Sequence, residues 1–248
     1  MSAACARAAR AADPGMSDAA TPQVVWRLPR LLERLQRPDF FFINIGANDG
    51  VSNDPIYPFM QRYGWRGIAV EPVPYIFEEL RKNYRQFPRV AVEHAAIAAS
   101  PRVLHFVPPD ATPHDFVRQV GSLHPDYLEK TIHLMRAYQF RGPVEDDMEQ
   151  RIQQIEVPCL TFDALLEKHR VERVDFLNID AEQNDFEILS MIDFTRWRPN
   201  IICVETSEFT DEQEMRANQL LRLAGYQYLE PFDIFSEVFV RSEYVGLC

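Results

Sequence analysis

The sequence lacks the patterns that mark several classes of protein. None of its apolar runs approaches the roughly 18 residues that a membrane-spanning helix needs. Its four cysteines include no CxxC pair, and no internal repeat is visible. Neither a zinc site nor a disulfide framework is therefore predicted, which agrees with a reducing cytoplasm. The expectation from these absences is a soluble, cytoplasmic, globular protein.

Basic residues are also scarce. The chain has 26 Lys and Arg against 37 Asp and Glu, which gives a formal net charge of −11. A surface this negative repels phosphate backbones, because nucleic-acid binding depends on Lys and Arg that replace counterions. Nucleic acid is therefore not expected as a partner. The length of 248 residues and the 46% of hydrophobic residues fit one α/β domain with modest additions.

The first 22 residues lack the continuous apolar stretch of a secretory signal peptide. They are rich in alanine, but Arg7, Arg10, Asp13 and Pro14 interrupt the run. We therefore predict a disordered segment over residues 1–22, followed by a single domain over residues 23–248.

From residue 24 onwards, apolar residues alternate between helical spacing and short continuous runs. Continuous runs of this kind are typical of strands buried on both faces of a parallel sheet, and helices between them predict an α/β fold. The C-terminal residues 226–242 are expected to form two antiparallel strands. The predicted fold is Rossmann-like, with a mostly parallel sheet and a C-terminal antiparallel hairpin. The predicted buried strands are residues 41–47, 67–72, 90–98, 174–180 and 201–206.

Residues 108–156 break this alternation, since they are polar and contain prolines. A structureless loop of this length is unusual in a compact domain, and residues 125–139 have helical spacing. We predict a helical insertion that acts as a lid. A short strand over residues 103–107 precedes it, and a strand over residues 155–160 closes it.

A glycine-containing turn, Ile-Gly-Ala-Asn-Asp-Gly over residues 45–50, follows the first predicted strand. Ligands of open α/β sheets bind beyond the carboxyl ends of the strands. Gly46 allows a tight turn and a close approach to a ligand, Asn48 tolerates a left-handed conformation, and Gly50 lets the next segment pack near the strand. The G-x-G-x-x-G pattern that holds a pyrophosphate is absent. The spacing here suits the amino-acid end of S-adenosylmethionine, with an ordinary strand–helix turn as the alternative.

The next two predicted strands also end in candidate cofactor-binding residues. Glu71 ends the second strand, where an acid can accept hydrogen bonds from both ribose hydroxyls. Ala96 and Ile97 end the third strand, where they would flank an adenine ring. The alternatives are a solvated strand-end glutamate and simple core residues.

Two acids at the end of a later strand are the catalytic candidates. Asp180 ends a buried strand at the predicted ligand-binding edge, and Glu182 follows within a turn. We predict that they act as a base or as orienters of an acceptor hydroxyl. Glu182 and Asp185 also begin the next helix, where acids favour the helix dipole, so helix capping is their alternative role. No histidine joins this group; no metal site is predicted, although a divalent cation between such acids stays open.

Three blocks of the sequence, residues 42–59, 64–84 and 174–189, resemble the FkbM family of methyltransferases. The resemblance extends over roughly residues 40–240. It implies a class I methyltransferase fold, S-adenosylmethionine as the methyl donor, and O-methylation of sugars, glycans or natural-product small molecules. It places Gly46, Asn48 and Gly50 in the donor loop and Glu71 at the ribose.

The resemblance also implies a sequence pattern, D-V-E-G-x-E, for residues 180–185, which we call the acidic loop. Asp180 and Glu182 match its first two acids, whereas Gln183 replaces the glycine and Asp185 the final glutamate. These departures bear on acceptor geometry more than on the donor site.

Two other functions compete with methyl transfer. One is an NAD-dependent Rossmann oxidoreductase, which the missing G-x-G-x-x-G and the C-terminal hairpin disfavour. The other is a non-catalytic module that binds S-adenosylmethionine. The acids Asp180 and Glu205 at two strand ends favour catalysis over that module.

Overall fold

The computed structural model describes residues 27–52, 54–112, 117, 119–138 and 143–247. The predicted disordered segment, with Cys5, lies outside these residues, and so do His114, Phe116 and Cys248. Among the described residues, no helix is both long and apolar enough to cross a membrane.

Strands and helices alternate along most of the described chain. The strands are β1 (Phe41–Ile45), β2 (Arg66–Val70), β3 (Val90–Glu93), β4 (Ala96–Ile97), β5 (Arg102–Phe106), β6 (Gly121–Ser122), β7 (Gln153–Val157), β8 (Cys159–Leu160), β9 (Phe176–Ile179), β10 (Ile201–Glu205), β11 (Tyr226–Pro231) and β12 (Ser236–Arg241). The helices are α1 (Arg27–Leu35), α2 (Tyr57–Tyr63), α3 (Pro74–Asn83), α4 (Pro125–Tyr138), α5 (Phe162–Lys168), α6 (Asp185–Met191) and α7 (Asp211–Leu223).

The described residues form a seven-stranded central sheet in the order β11-β12-β10-β9-β1-β2-β3. Strands β3, β2, β1, β9 and β10 run parallel, whereas β12 is antiparallel to both β10 and β11. The mostly parallel sheet and the C-terminal hairpin are thus confirmed. Because the strands are parallel, the carboxyl ends of β1, β2, β9 and β10 meet at one edge of the sheet.

Two hydrophobic clusters cover the two faces of this sheet. Alternate residues of β1 point to opposite faces, so that Ile43 belongs to one cluster and Phe42 to the other. Helices α5, α6 and α7 pack on the first face, and α1, α2 and α3 on the second. Burial on both faces explains why the central strands are almost continuously apolar in sequence.

Capping residues are present at two helix ends. The hydroxyl of Thr161, the N-cap of α5, accepts a hydrogen bond from the Ala164 amide at 3.1 Å. Gly225 follows α7 with a φ of 88°, in the left-handed region that favours glycine. Of the two cysteines described, Cys203 is buried and Cys159 is half-buried.

The predicted helical insertion contains strands as well as a helix. Its α4 is accompanied by β6 and β7, which pair with β5 in a separate antiparallel sheet of order β6-β5-β7. A hydrophobic cluster that includes Val120, Leu128 and Ile132 gives the insertion its own core.

Two predicted strands are each divided in the structure. The predicted strand 90–98 is β3 in the central sheet and β4 in a two-stranded sheet with β8. The predicted strand 155–160 is β7 and β8, separated at Pro158, which has no amide hydrogen to donate. Residues 90–98 are mostly apolar and are interrupted only by Glu93 and His94, where β3 ends; so short a polar interruption does not by itself reveal a change of partner strand.

Candidate active site

A cleft of about 630 Å³, part of it open to solvent, lies at the carboxyl ends of β1, β2 and β9. Most of the residues predicted from the sequence come together here. Gly46, Asn48, Glu71, Ala96, Ile97, Asp180 and Glu182 all line the cleft.

Gly50 is the predicted site residue that the structure places elsewhere. It has a φ of 73°, and a Cβ atom at this position would collide with the side chains of Leu80 and Tyr84. Gly50 therefore lets the loop after β1 pack against α3, rather than line the cleft.

The turn after β1 is held by the neighbouring strand. The amides of Gly46 and Ala47 both donate to the carbonyl oxygen of Val70, at 3.0 and 2.9 Å. Gly46 has a φ of 75°, and a Cβ atom there would overlap the carbonyl oxygen of Asp180 and lie 2.7 Å from its carbonyl carbon. The close approach that requires glycine is thus made by the backbone that follows β9. The sequence interpretation assigned the close approach to a ligand; since Gly46 also lines the cleft, that approach stays a prediction.

Asn48 and Glu71 are joined across the turn. Asn48 has a φ of 50°, the left-handed conformation that asparagine tolerates. Its amide donates to Oε2 of Glu71 at 3.0 Å, while the amide of Val73 donates to Oε1 at 2.8 Å. Glu71 is only 5% exposed. The carboxylate is therefore fixed in orientation, and each oxygen keeps acceptor capacity beyond its one backbone partner.

The electrostatic environment of Glu71 opposes its ionisation. Burial raises its pKa to about 7, and the negative charge of Asp180 adds to this effect. The hydrogen bonds from Val73 and Asn48 lower the pKa, but they do not offset the burial. Near neutral pH, this carboxyl group is thus partly protonated.

The apolar side of the cleft is formed by Ala96 and Ile97 on β4, both buried. The side-chain amide of Asn184 donates to the carbonyl oxygen of Ile97 at 2.8 Å. Asn184 lines the cleft, is almost fully buried, and has no hydrogen-bond partner for Oδ1 among the described residues. Sequence reasoning missed Asn184, because an asparagine at the start of a helix carries no distinctive signal.

The acidic loop after β9 has an unusual backbone. Glu182 and Gln183 have φ values of 49° and 79°, although neither is glycine. Gln183 thus occupies, at the position where the FkbM pattern has glycine, a conformation that favours glycine. The loop is closed by Oδ1 of Asp185, which accepts a hydrogen bond from the Ala181 amide at 2.7 Å. This bond supports a local structural role for Asp185.

Carboxylates crowd this edge of the sheet and disfavour one another's ionisation. Although Asp180 is exposed in the cleft, the surrounding protein desolvates it and raises its pKa to about 6. Burial and the charge of Asp180 raise the pKa of Glu182 to about 8 and that of Asp185 to about 7. Burial also raises the pKa of Glu205 well above its usual range, and its side chain hydrogen bonds to Asp180. At neutral pH, the group as a whole retains protons.

Basic side chains are absent from the described lining of the cleft. His94 stacks on Phe77, and His169 contacts Glu93 at 2.6 Å, so both have partners elsewhere. In the part of the chain that the structure describes, no group of three or more His, Cys, Asp or Glu is arranged to hold a metal ion.

The insertion supplies three further residues that sequence reasoning missed. Oε1 of Gln119 accepts a hydrogen bond from the side-chain amide of Asn48 at 3.3 Å. The hydroxyl of Ser122 donates to the carbonyl oxygen of Glu182 at 2.7 Å, and that of Tyr127 donates to Oε2 of Glu182 at 2.5 Å. The insertion therefore contacts both the turn after β1 and the acidic loop.

The strand order, the antiparallel β12 between β10 and β11, and a cleft at the carboxyl ends of the strands define a Rossmann-like, class I methyltransferase fold. The chain belongs to the FkbM methyltransferase family, since the model of the methyltransferase FkbM domain matches residues 44–228. Membership in a methyltransferase family favours methyl transfer over the NAD-dependent alternative.

Several solved structures are similar to the chain at low sequence identity. Methyltransferase FkbM from Methylobacillus flagellatus KT is 12% identical over 85% of this chain and 47% of that one, with a TM-score of 0.48. The chain thus spans about half the length of that protein. Precorrin-6y C5,15-methyltransferase from Geobacter metallireducens GS-15 is 11% identical over 90% and 92% of the two chains, with a TM-score of 0.40. A comparison with curated proteins gives no match.

Proposed function

We propose that the protein transfers the methyl group of S-adenosylmethionine to a hydroxyl oxygen of a sugar, a glycan or a natural-product small molecule. One observation carries this proposal: Asp180 and Glu182 line the same cleft as Glu71 and the turn at Gly46. A hydroxyl group loses its proton on methylation, and a carboxylate beside the acceptor provides the base for that proton.

Three parts of the cleft lining suit the three parts of S-adenosylmethionine: its ribose, its adenine and its amino-acid end. S-adenosylmethionine supplies, when bound, an activated methyl group on a positively charged sulfur. Glu71, held by two backbone amides, would accept hydrogen bonds from the ribose hydroxyls. The buried Ala96 and Ile97 would flank the adenine. The turn at Gly46 and Asn48 would face the amino-acid end. Such a donor matches the acidic character of the lining, because it brings a positive charge to it.

The acceptor would lie towards β10 and the C-terminal hairpin. Asp180 and Glu205 end adjacent strands and share a hydrogen bond. The amides of Thr206 and Ser207 both donate to the carbonyl oxygen of Phe235, which ties the hairpin loop to the end of β10. In that loop Ile234 is 63% exposed and Phe235 is 46% exposed. Carboxylates beside exposed apolar side chains support an acceptor that combines hydroxyl groups with apolar surface.

Asp180 is the better proton acceptor of the two catalytic candidates. Its pKa of about 6 leaves it mostly ionised at neutral pH, whereas the pKa of about 8 keeps Glu182 mostly protonated. Glu182 would then orient the acceptor hydroxyl, and Asp180 would take its proton. The acceptor oxygen has to lie roughly 3 Å from the methyl carbon for this arrangement to accelerate the reaction.

A product assay tests the proposed function. Purified protein would be incubated with isotopically labelled S-adenosylmethionine and a panel of hydroxylated sugars and natural products, and the products analysed by mass spectrometry and NMR. We expect a methyl group on oxygen. A product methylated only on nitrogen or carbon would refute the proposed acceptor group.

Glu71→Gln is expected to weaken the binding of S-adenosylhomocysteine by about 10- to 100-fold. The substitution keeps the shape of the side chain, but it replaces one acceptor oxygen by an amide group and removes the charge that strengthens hydrogen bonds to the ribose. Glutamine is preferred to alanine here, because glutamine leaves only one of the amides of Asn48 and Val73 without its acceptor, whereas alanine would leave both. Isothermal titration calorimetry measures the affinity.

Glu93→Gln is the matched control for this variant. Glu93 ends β3, the neighbour of β2, and its carboxylate contacts Lys168 and His169 rather than the cleft. We expect unchanged affinity for S-adenosylhomocysteine. If Glu71→Gln remains folded and binds as tightly as the control, Glu71 does not bind the ribose.

The preference for S-adenosylmethionine over S-adenosylhomocysteine is expected to increase as the pH rises from about 6 to about 8. The two ligands differ in the positive charge on sulfur, which ionised carboxylates in the cleft attract. Each carboxyl group is neutral below its raised pKa, which is about 6 for Asp180, about 7 for Glu71 and about 8 for Glu182. The attraction therefore appears as the pH rises through these values.

The ratio of the two dissociation constants, measured by calorimetry at several pH values, checks this expectation. Taking the ratio cancels pH effects that act on both ligands alike. A ratio that stays constant between pH 6 and pH 8 would show that the carboxylates do not face the sulfur.

A further inference from the structure

The insertion makes two hydrogen bonds to Glu182, a residue of the acidic loop. Tyr127, on α4, donates its hydroxyl hydrogen to Oε2 of Glu182 at 2.5 Å. Ser122, on β6, donates to the carbonyl oxygen of the same residue at 2.7 Å and accepts a hydrogen bond from the amide of His124 at 3.1 Å. Side chain and backbone of Glu182 are thus both held by the insertion.

The tyrosine ring is anchored independently of its hydroxyl group. It packs against the hydrophobic core of the insertion, whose buried members include Leu128, Ile132 and Val120. Glu182, in contrast, has the left-handed φ of 49°, which costs energy in a residue other than glycine. A fixed ring therefore supports a residue whose own backbone conformation is unfavourable.

The charged groups that face Glu182 are all acidic. They are Asp180 at the end of β9, Asp185 at the start of α6, Glu71 at the end of β2 and Glu205 at the end of β10. Each makes ionisation of Glu182 less favourable, whereas the hydrogen bond from Tyr127 makes it more favourable. Burial raises the pKa of Tyr127 far above its usual range, so that its hydroxyl group remains a donor at every pH of interest.

We propose that Tyr127 is a positioning residue of the methyl-transfer site, which holds the carboxyl group of Glu182 in place. The site is complete only when the insertion is docked on the acidic loop. This inference rests on the proposed role of Glu182 at the donor and acceptor, and the experiment below separates the two.

Tyr127→Phe removes the hydroxyl group and keeps the ring in the insertion core. We expect the titration midpoint of Glu182 to rise by about 1 to 2 pH units, the size of a hydrogen bond to a charged group. The midpoint is measured by carboxyl ¹³C NMR on the full chain labelled in glutamate, with Glu182→Gln identifying the signal. Tyr138→Phe, an exposed position on the same helix, is the control and should leave the midpoint unchanged.

A second measurement connects this titration to the site. The ratio of affinities for S-adenosylmethionine and S-adenosylhomocysteine is followed against pH in Tyr127→Phe, and we expect the part of its rise that comes from Glu182 to move to higher pH. An unchanged midpoint would overturn the role of Tyr127. A shifted midpoint with an unshifted affinity profile would instead show that Glu182 does not act on the donor. The proposed site would then be wrong, and with it the positioning role of Tyr127.

Discussion

Gly46→Ala is expected to lower the free energy of unfolding by about 4 kcal/mol or more, a loss so large that it requires a specific structural cause. The added Cβ atom would overlap the backbone carbonyl of Asp180, which no change of rotamer relieves. The φ of 75° adds the cost of a left-handed alanine. Since small domains are stable by only about 5–15 kcal/mol, we expect a strongly reduced yield of folded protein. Urea unfolding followed by circular dichroism measures the loss.

Gly64→Ala is the matched control for this effect. Gly64 also has a left-handed φ, of 61°, but a Cβ atom there meets no other atom within 4 Å. Its cost should therefore be limited to the backbone conformation, about 1 kcal/mol. The difference between the two variants isolates the collision with Asp180. If both variants unfold at the same urea concentration, the turn after β1 is not constrained by the backbone that follows β9.

Gly46 also shows where sequence reasoning reaches its limit. Its place directly after a buried strand identifies a position where the chain has to turn and where glycine is useful. The reason for the glycine is Asp180, which is remote in the sequence and becomes a neighbour only when β9 pairs with β1. A sequence shows that a close approach is permitted, but not which group makes it.

The central sheet was predictable because its strands are buried on both faces. In β1 and β9 nearly every side chain is buried, so that the apolar run itself marks the strand. Strands β5 and β7 were predicted in part, over residues 103–107 and 155–160, whereas β6 was not, because two residues make no apolar run and their pairing depends on β5. For the same reason the separation of β3 from β4 was not predicted.

The residues of the candidate site also fall into two groups, those that the sequence predicts and those that it does not. Glu71 and Asp180 were predictable because the carboxyl ends of parallel strands meet at one edge. Tyr127 and Ser122 were not, since they reach the cleft through the docking of the insertion on the acidic loop. The raised pKa values of the acids likewise depend on distances between side chains that only the assembled fold determines.

Asp180→Asn is expected to lower turnover by about 10²-fold or more, the usual scale for loss of a general base. Asparagine keeps the shape of the side chain but accepts no proton from the acceptor hydroxyl. In the unmodified protein, we expect turnover to rise with pH through about 6, where Asp180 loses its own proton. That rise should be absent from the variant. Methyl transfer is measured with the acceptor that the product assay identifies.

The affinity of Asp180→Asn for S-adenosylhomocysteine separates a catalytic defect from a binding defect. We expect little change, because this ligand lacks the positive charge on sulfur that Asp180 would attract. The neighbouring carboxyl groups of Glu182 and Glu205 should ionise at lower pH, since the charge of Asp180 raises the pKa of both. Asp110→Asn, at an exposed position outside the cleft lining, is the control and should retain full turnover. If Asp180→Asn also retains full turnover, Asp180 is a structural residue, and alignment of the two substrates alone accounts for the rate.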